Sequence, residues 1–200
     1  MSPADLRLNL LEFVRNVYPD MQISVAPWTE DPARLAISFV DPNFGALYPA
    51  QRYHYLAHLI PQDFWDQYLS DTIWFELAPG ETPDDLEYPD DELIASITPD
   101  VMRLLVRSRA IETLDDLLCP PSPETPPVRC HGDYRHARQA LLARGFTEAE
   151  LFDVLHVLMA RGGFCDCEIL YNAVEESRLK AEYWTARAQN REPYDPHGAA

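Results

Sequence analysis

Cysteine and glycine are scarce in these 200 residues, four and seven respectively, and basic side chains are outnumbered, 16 Lys and Arg against 33 Asp and Glu. No stretch of ~18 apolar residues occurs, which excludes a helical membrane span. The start, Met1-Ser2-Pro3-Ala4-Asp5, has neither the basic residues nor the apolar run of a secretory signal. A cytoplasmic location is therefore expected, and in that reducing setting four cysteines serve as free thiols or metal ligands rather than disulfides. The net charge of −17 is uneven: residues 1–127 hold 7 basic against 22 acidic side chains, residues 128–200 hold 9 against 11. Such a surface repels phosphate backbones, so no nucleic-acid partner is expected, and the charge reads mainly as solubility.

What is present is enough to build a core, since 46% of the residues are hydrophobic and 11% aromatic. Ser2 and Pro3 open a helix whose apolar residues Leu6, Leu10, Phe13, Val14 and Val17 recur at helical spacing, and Tyr18-Pro19-Asp20 ends it. Met21 to Val25 alternates apolar with polar as a strand does, Leu35 to Val40 supplies a second, antiparallel one, and Thr72 to Leu77 a third. Between them lie a helix opened by Pro49 and another from Gln62 to Leu69. The fold class is thus α+β, with an α-β-β-α-α-β order in the first part. Ile23, Val25, Ile37, Phe39 and Trp74 or Phe75 are expected on one helix-covered sheet face.

Residues 79–92 carry seven carboxylates and no Lys or Arg, and read as a solvated acidic loop, because the spacing is not that of a calcium-binding loop. Leu93–Ile97 and Val101–Leu118 read as helices, the second with a break near Ser108. Five prolines between Pro120 and Pro127 mark a semi-rigid spacer. The expected organisation is an α+β module over 1–119, a linker over 120–127, a small helical Cys/His module over 128–190 and a frayed tail over 191–200. In the helical module Asp133 caps a helix from Tyr134 to Arg144 that Gly145 ends. Thr147-Glu148-Ala149-Glu150 is a capping box, opening a helix that Gly162 stops. A last helix runs from about Glu168 past Trp184.

The chemistry concentrates in that module. Cys165 and Cys167 stand one residue apart behind Gly162-Gly163, and Cys130 lies upstream beside His131 and His136. Cys130, His136, Cys165 and Cys167 make a Cys₃His set that suits one tetrahedral Zn²⁺, with His131 or Asp133 as the alternative fourth ligand. Two other readings stand beside it: inert packing of buried thiols, and a redox dithiol activated by a helix N-terminus. Cys119 lacks a close partner and reads as structural. His54 and His58 share a helical face but lack a third ligand, and His156 reads as a core histidine.

Residues 130–172 resemble the bacterial family known as domain of unknown function 2695, through Cys130-x-x-x-x-Arg135-His136-x-Arg138 and the block Gly162-Gly163-Phe164-Cys165-Asp166-Cys167-Glu168-Ile169-Leu170-x-Asn172. This resemblance carries no activity with it. Gly132 stands where the family pattern is expected to have a His, which favours His136 as ligand. Residues 5–80 are similar in element order to BolA-like and class II KH-like domains, with Gln51-Arg52-Tyr53-His54 at the BolA-like Arg-His position. The Gly-x-x-Gly loop of a KH domain is absent.

No nucleotide loop or nucleophile elbow occurs. The sequence therefore reads as a non-catalytic binding or adaptor protein with a structural zinc site, acting on an unidentified protein partner. The alternatives are a thiol- or metal-dependent enzyme using Cys165 or Cys167, and a BolA-like iron-sulfur accessory protein.

Overall fold

The computed structural model describes residues 1–122 and 124–197. It is an α+β chain with a three-stranded sheet, and it divides into two compact units, Met1–Tyr88 and Pro89–Ala200.

In the first unit, α1 (Pro3–Val14) begins where the Ser2 hydroxyl accepts from Asp5 N, and it buries Leu6, Leu10 and Val14. β1 (Gln22–Pro27) pairs antiparallel with β2 (Leu35–Val40). β2 pairs parallel with β3 (Thr72–Leu77), so the order is β1-β2-β3. A parallel partner requires a crossover, and α2 (Pro49–Leu59) and α3 (Gln62–Tyr68) supply it. The register sets Ile23 opposite Phe39 and Val25 opposite Ile37. Across β2 and β3, Ile37 meets Trp74 and Phe39 meets Glu76. Ile23, Ile37 and Phe39 are buried in one cluster with Leu10, Phe44 and Leu56, and Trp74 packs against it. Phe75 lies on the opposite face, because its neighbour Trp74 takes the core side.

Arg52 is buried, which removes it from any exposed Arg-His role. Its Nε donates to Leu47 O at 2.9 Å, and its Nη1 donates to Glu76 O at 2.7 Å and to Glu81 at 2.6 Å. Glu81 also accepts from Ala78 N at 2.8 Å. The acidic stretch is therefore anchored at its start, and the Arg52 hydrogen bond is the main cause that lowers the Glu81 carboxyl from its usual range.

The two compact units divide at Tyr88–Pro89, and not at the Pro120–Pro127 spacer expected as the boundary. α4 (Asp91–Ser108) and α5 (Ala110–Leu118) belong to the second unit, with α6 (Arg135–Ala143), α7 (Glu148–Ala160), a short α8 (Asp166–Glu168) and α9 (Arg178–Ala188). The proline run only spans a gap inside that unit. Val128 N donates back to Leu117 O at 2.9 Å, and Arg144 Nε donates to Thr113 Oγ1 at 2.8 Å. The Asp115 carboxylate, buried on α5, accepts from Arg178 N at 2.7 Å and Leu179 N at 3.2 Å. Those amides open α9 and have no partner within the helix. A carboxylate from one helix thus starts another, 63 residues away.

Two further differences have local causes. Pro99 lies within α4 instead of before it: a proline costs a helix one ladder bond, and here Thr98 Oγ1 donates to Ile94 O at 2.7 Å beside it. The break near Ser108 is a single left-handed residue, Arg109, at φ 60°. The helix expected from Glu168 past Trp184 is two pieces. α8 runs into a π-helical turn over Ile169–Ala173, then Val174 is extended, and Ser177 caps α9 by accepting from Lys180 N at 3.0 Å.

Candidate metal centre

The Cys-x-Cys segment is held by backbone geometry before any ligand is considered. α7 begins at the Thr147 and Glu150 capping box and ends at Ala160. The chain then turns through Gly162 at φ 84°, a region side chains rarely adopt. Asn172 Nδ2 donates to Gly162 O at 2.9 Å, and the Tyr134 hydroxyl donates to Gly163 O at 2.5 Å. A β-carbon on Gly163 would stand 3.0 Å from Ile169 Cα and 3.1 Å from Ala173 Cβ. The nearest atom is backbone, so the turn and the π-helical segment would have to separate. Gly163→Ala is expected to destabilise the second unit by about 1–3 kcal/mol through overpacking, read as a lower urea midpoint. An unchanged midpoint would show that the two segments part freely.

Asp166, between the two cysteines, is fully buried and turns away from them toward α6. Its carboxylate accepts from His136 N at 3.2 Å and Ala137 N at 2.8 Å, amides of the first α6 turn. An acid at a helix N-terminus is favoured, yet burial dominates and pushes Asp166 up to about 7 against the pull of those two amides. Asp166 N donates to Asp133 O at 3.0 Å, and Phe164 N donates to Glu168 at 3.0 Å. The middle residue of the Cys-x-Cys triplet therefore pins the loop to the helix that follows Cys130. Cys165 is extended and Cys167 helical, which brings their sulfurs to 3.4 Å.

Cys130 approaches from the other side, and the tail folds back onto it. Cys130 N donates to Pro196 O at 2.9 Å, and His197 Nε2 lies 3.0 Å from Cys167 Sγ. The ligand atoms of Cys130, Cys165, Cys167 and His197 all lie within 4.8 Å of one another. A tetrahedral ion with Zn–S bonds near 2.3 Å has ligand-to-ligand edges of about 3.8 Å, so the cluster has the size of one metal ion. The three cysteines are buried and free, and His197 is exposed. Hydrogen bonds from the Cys165 and Cys167 thiols, aided by the amides of Gly132 and Cys167, draw Cys130 well below the usual thiol range. The same bond to Cys130 raises Cys165 and Cys167. Three thiols this close oppose one another's ionisation, so their protons leave together readily only in exchange for a cation.

The three expected cysteines come together, and the expected fourth ligand does not join them. His136 Nε2 lies 3.1 Å from Arg129 O, while its backbone amide serves Asp166. Its ring centroid is 6.2 Å from that of His131. Asp133 is raised by burial but lowered by more through Arg135, whose Nη2 donates to it at 2.7 Å. The side chains that precede and begin α6 are thus occupied at the helix start, and His197, rather than the expected His136, His131 or Asp133, stands fourth in the cluster. His197 was hidden in a proline-containing segment that reads as a frayed tail. The available signal was Pro196-His197 itself, an imidazole on a stiffened arm. The tail expected over 191–200 includes residues 198–200, which lie outside the described residues.

Among the described residues, no helix is long and apolar enough to cross a membrane. No curated protein and no solved structure matches the chain, so the BolA-like and class II KH-like likeness is not shown. Residues 123–172, which carry all three thiols of the cluster but not His197, match the family model described as Protein of unknown function (DUF2695).

Proposed function

We propose that the second unit is a metal-binding module in which Cys130, Cys165, Cys167 and His197 hold one Zn²⁺ as a closed structural site, and that the protein acts as a non-catalytic binding or adaptor protein. The observation that carries this is the convergence of three buried sulfurs and one imidazole nitrogen within 4.8 Å from three separate stretches of chain. Thiolates and imidazole suit Zn²⁺ among the abundant divalent ions. Four protein ligands leave no open position, which argues for a structural rather than a catalytic ion.

The rivals fit less well. A reactive thiol sits in a partly exposed, electropositive environment, whereas Cys165 and Cys167 are 1% and 2% exposed and raised. Multi-iron clusters spread their cysteine ligands around several iron atoms, which the tight grouping of these four ligand atoms disfavours. Elemental analysis of untagged protein purified without chelators is expected to give about one zinc per chain. His197→Ala is expected to weaken retention by at least about tenfold, the cost of losing even an outer-shell partner of a metal ligand, while His136→Ala leaves it unchanged. Metal-free protein, or loss with His136→Ala alone, would refute this ligand set.

A further inference from the structure

The returning tail does more than deliver His197. Between it, the π-helical turn and α9 lies a cavity of about 570 Å³, with Cys167 and His197 among its lining residues. That volume is in the range of small-molecule sites. Its walls are aromatic: Tyr171, Tyr183, Trp184 and Tyr194. Tyr171 and Tyr183 meet edge-on with ring centroids 5.8 Å apart, and Tyr183 meets Trp184 edge-on at 5.2 Å. Trp184 is 62% exposed, an unusual position for the largest apolar side chain.

The polar lining selects among ligands. Glu168 and Asp195 contribute two carboxylates. The one lysine in the lining, Lys180, directs its Nζ to the carbonyls of Val174 and Glu175, at 3.3 and 3.4 Å. On the metal reading proposed above, three thiolates around a divalent ion add a further net negative charge beside the cavity. Aromatic faces also carry negative potential, which attracts ammonium and guanidinium groups. An anion would be repelled, and a neutral ligand would gain hydrogen bonds from the carboxylates but no charge attraction.

We infer that this cavity is a binding site for a small organic cation bearing a methylated ammonium group, held by Tyr183, Trp184 and their aromatic neighbours under the field of Glu168 and Asp195. Part of the field rests on the zinc reading, and the aromatic cage does not.

The test uses the full-length protein with its metal content measured in the same sample. Choline is titrated against its neutral isostere 3,3-dimethylbutan-1-ol by isothermal titration calorimetry and ligand-observed NMR. Choline is expected to bind saturably and about tenfold more tightly than the isostere, and Trp184→Leu to weaken it by about the same factor. Because Trp184 is largely exposed, that variant keeps its fold, which amide NMR spectra check directly. N-acetyl-trimethyllysine methylamide in place of choline distinguishes a modified side chain from a free cation as the natural source, and saturable binding of either supports the site. Equal affinity for the isostere, or affinity unchanged in Trp184→Leu, would overturn the inference. Stoichiometric metal with saturable binding of neither choline nor the trimethyllysine derivative defeats the cation site and leaves the zinc reading intact. Discriminating choline binding in metal-free protein does the reverse.

Discussion

Chelation of the proposed Zn²⁺ is expected to loosen the second unit while the first keeps its structure. The candidate ligands join residue 130, residues 165–167 and residue 197, and among the described residues the bond from Cys130 N to Pro196 O ties the tail to the start of the site. Structural zinc in small domains contributes about 10–16 kcal/mol of apparent binding free energy near neutral pH. A whole domain has only about 5–15 kcal/mol of net stability. Losing the ion therefore outweighs any single packing defect, although Leu155, Leu158, Ile169 and Leu170 give this unit a core of its own. The expected result is loss of amide-exchange protection around residues 128–135, 162–173 and 190–197 first. Cys167→Ser should lower metal content and melting temperature together. Cys119→Ser should change neither, since Cys119 is half-buried outside the cluster. Retention must also fall at acid pH, because thiolate and imidazole ligands bind only when deprotonated. Equal melting with and without chelator would remove the basis for a structural ion.

Much of the first unit was legible because a strand has period two and its signal is local. Ile23, Val25, Ile37 and Phe39 declare a face by alternation alone, and Thr72–Leu77 is β-branched and aromatic enough to be bounded correctly. Proline density was a poorer guide. It reports where a helix cannot continue, and says nothing about long-range ties such as those of Asp115 to α9 or Arg144 to Thr113. The same limit applies at the candidate site. Three thiols stand out by residue type, and Gly162-Gly163 marks the turn that presents two of them. The choice between His136 and His197 depends on where a tail returns, and that is set by one backbone bond at Pro196. Helix-start chemistry around Asp133, Arg135 and Asp166 engages His136 away from the three sulfurs, and none of those contacts has a signature in spacing.

The alternation that made β3 legible also placed an acid in the core, and its expected consequence is a pH dependence of the first unit. Trp74 faces the helices, so Glu76, two residues on, must face them too, opposite Phe39. Glu76 is 3% exposed and its Oε1 has no hydrogen-bond partner. Burial raises its carboxyl from 4.5 to about 7, against the smaller lowering effects of its own backbone amide and of Arg52. Below about pH 4.5 the group is protonated both folded and unfolded, and its burial as a neutral acid carries no ionisation cost. As pH rises above that value the unfolded chain releases the proton while the folded one keeps it, so stability falls until about pH 7 and then levels off. The full drop is ~3 kcal/mol at 1.36 kcal/mol per pKa unit. Glu76→Gln keeps the shape and removes the charge, so the variant should match the parent near pH 4.5 and exceed its stability by about that amount at pH 8. Urea unfolding followed through Trp65 and Trp74, whose rings lie 4.7 Å apart in this unit, reads the difference directly. Other carboxylates titrate in both proteins and cancel in the comparison. Parallel pH profiles for parent and variant would mean that Glu76 ionises in the folded state without penalty, which requires water or a cation to reach an oxygen that the fold encloses.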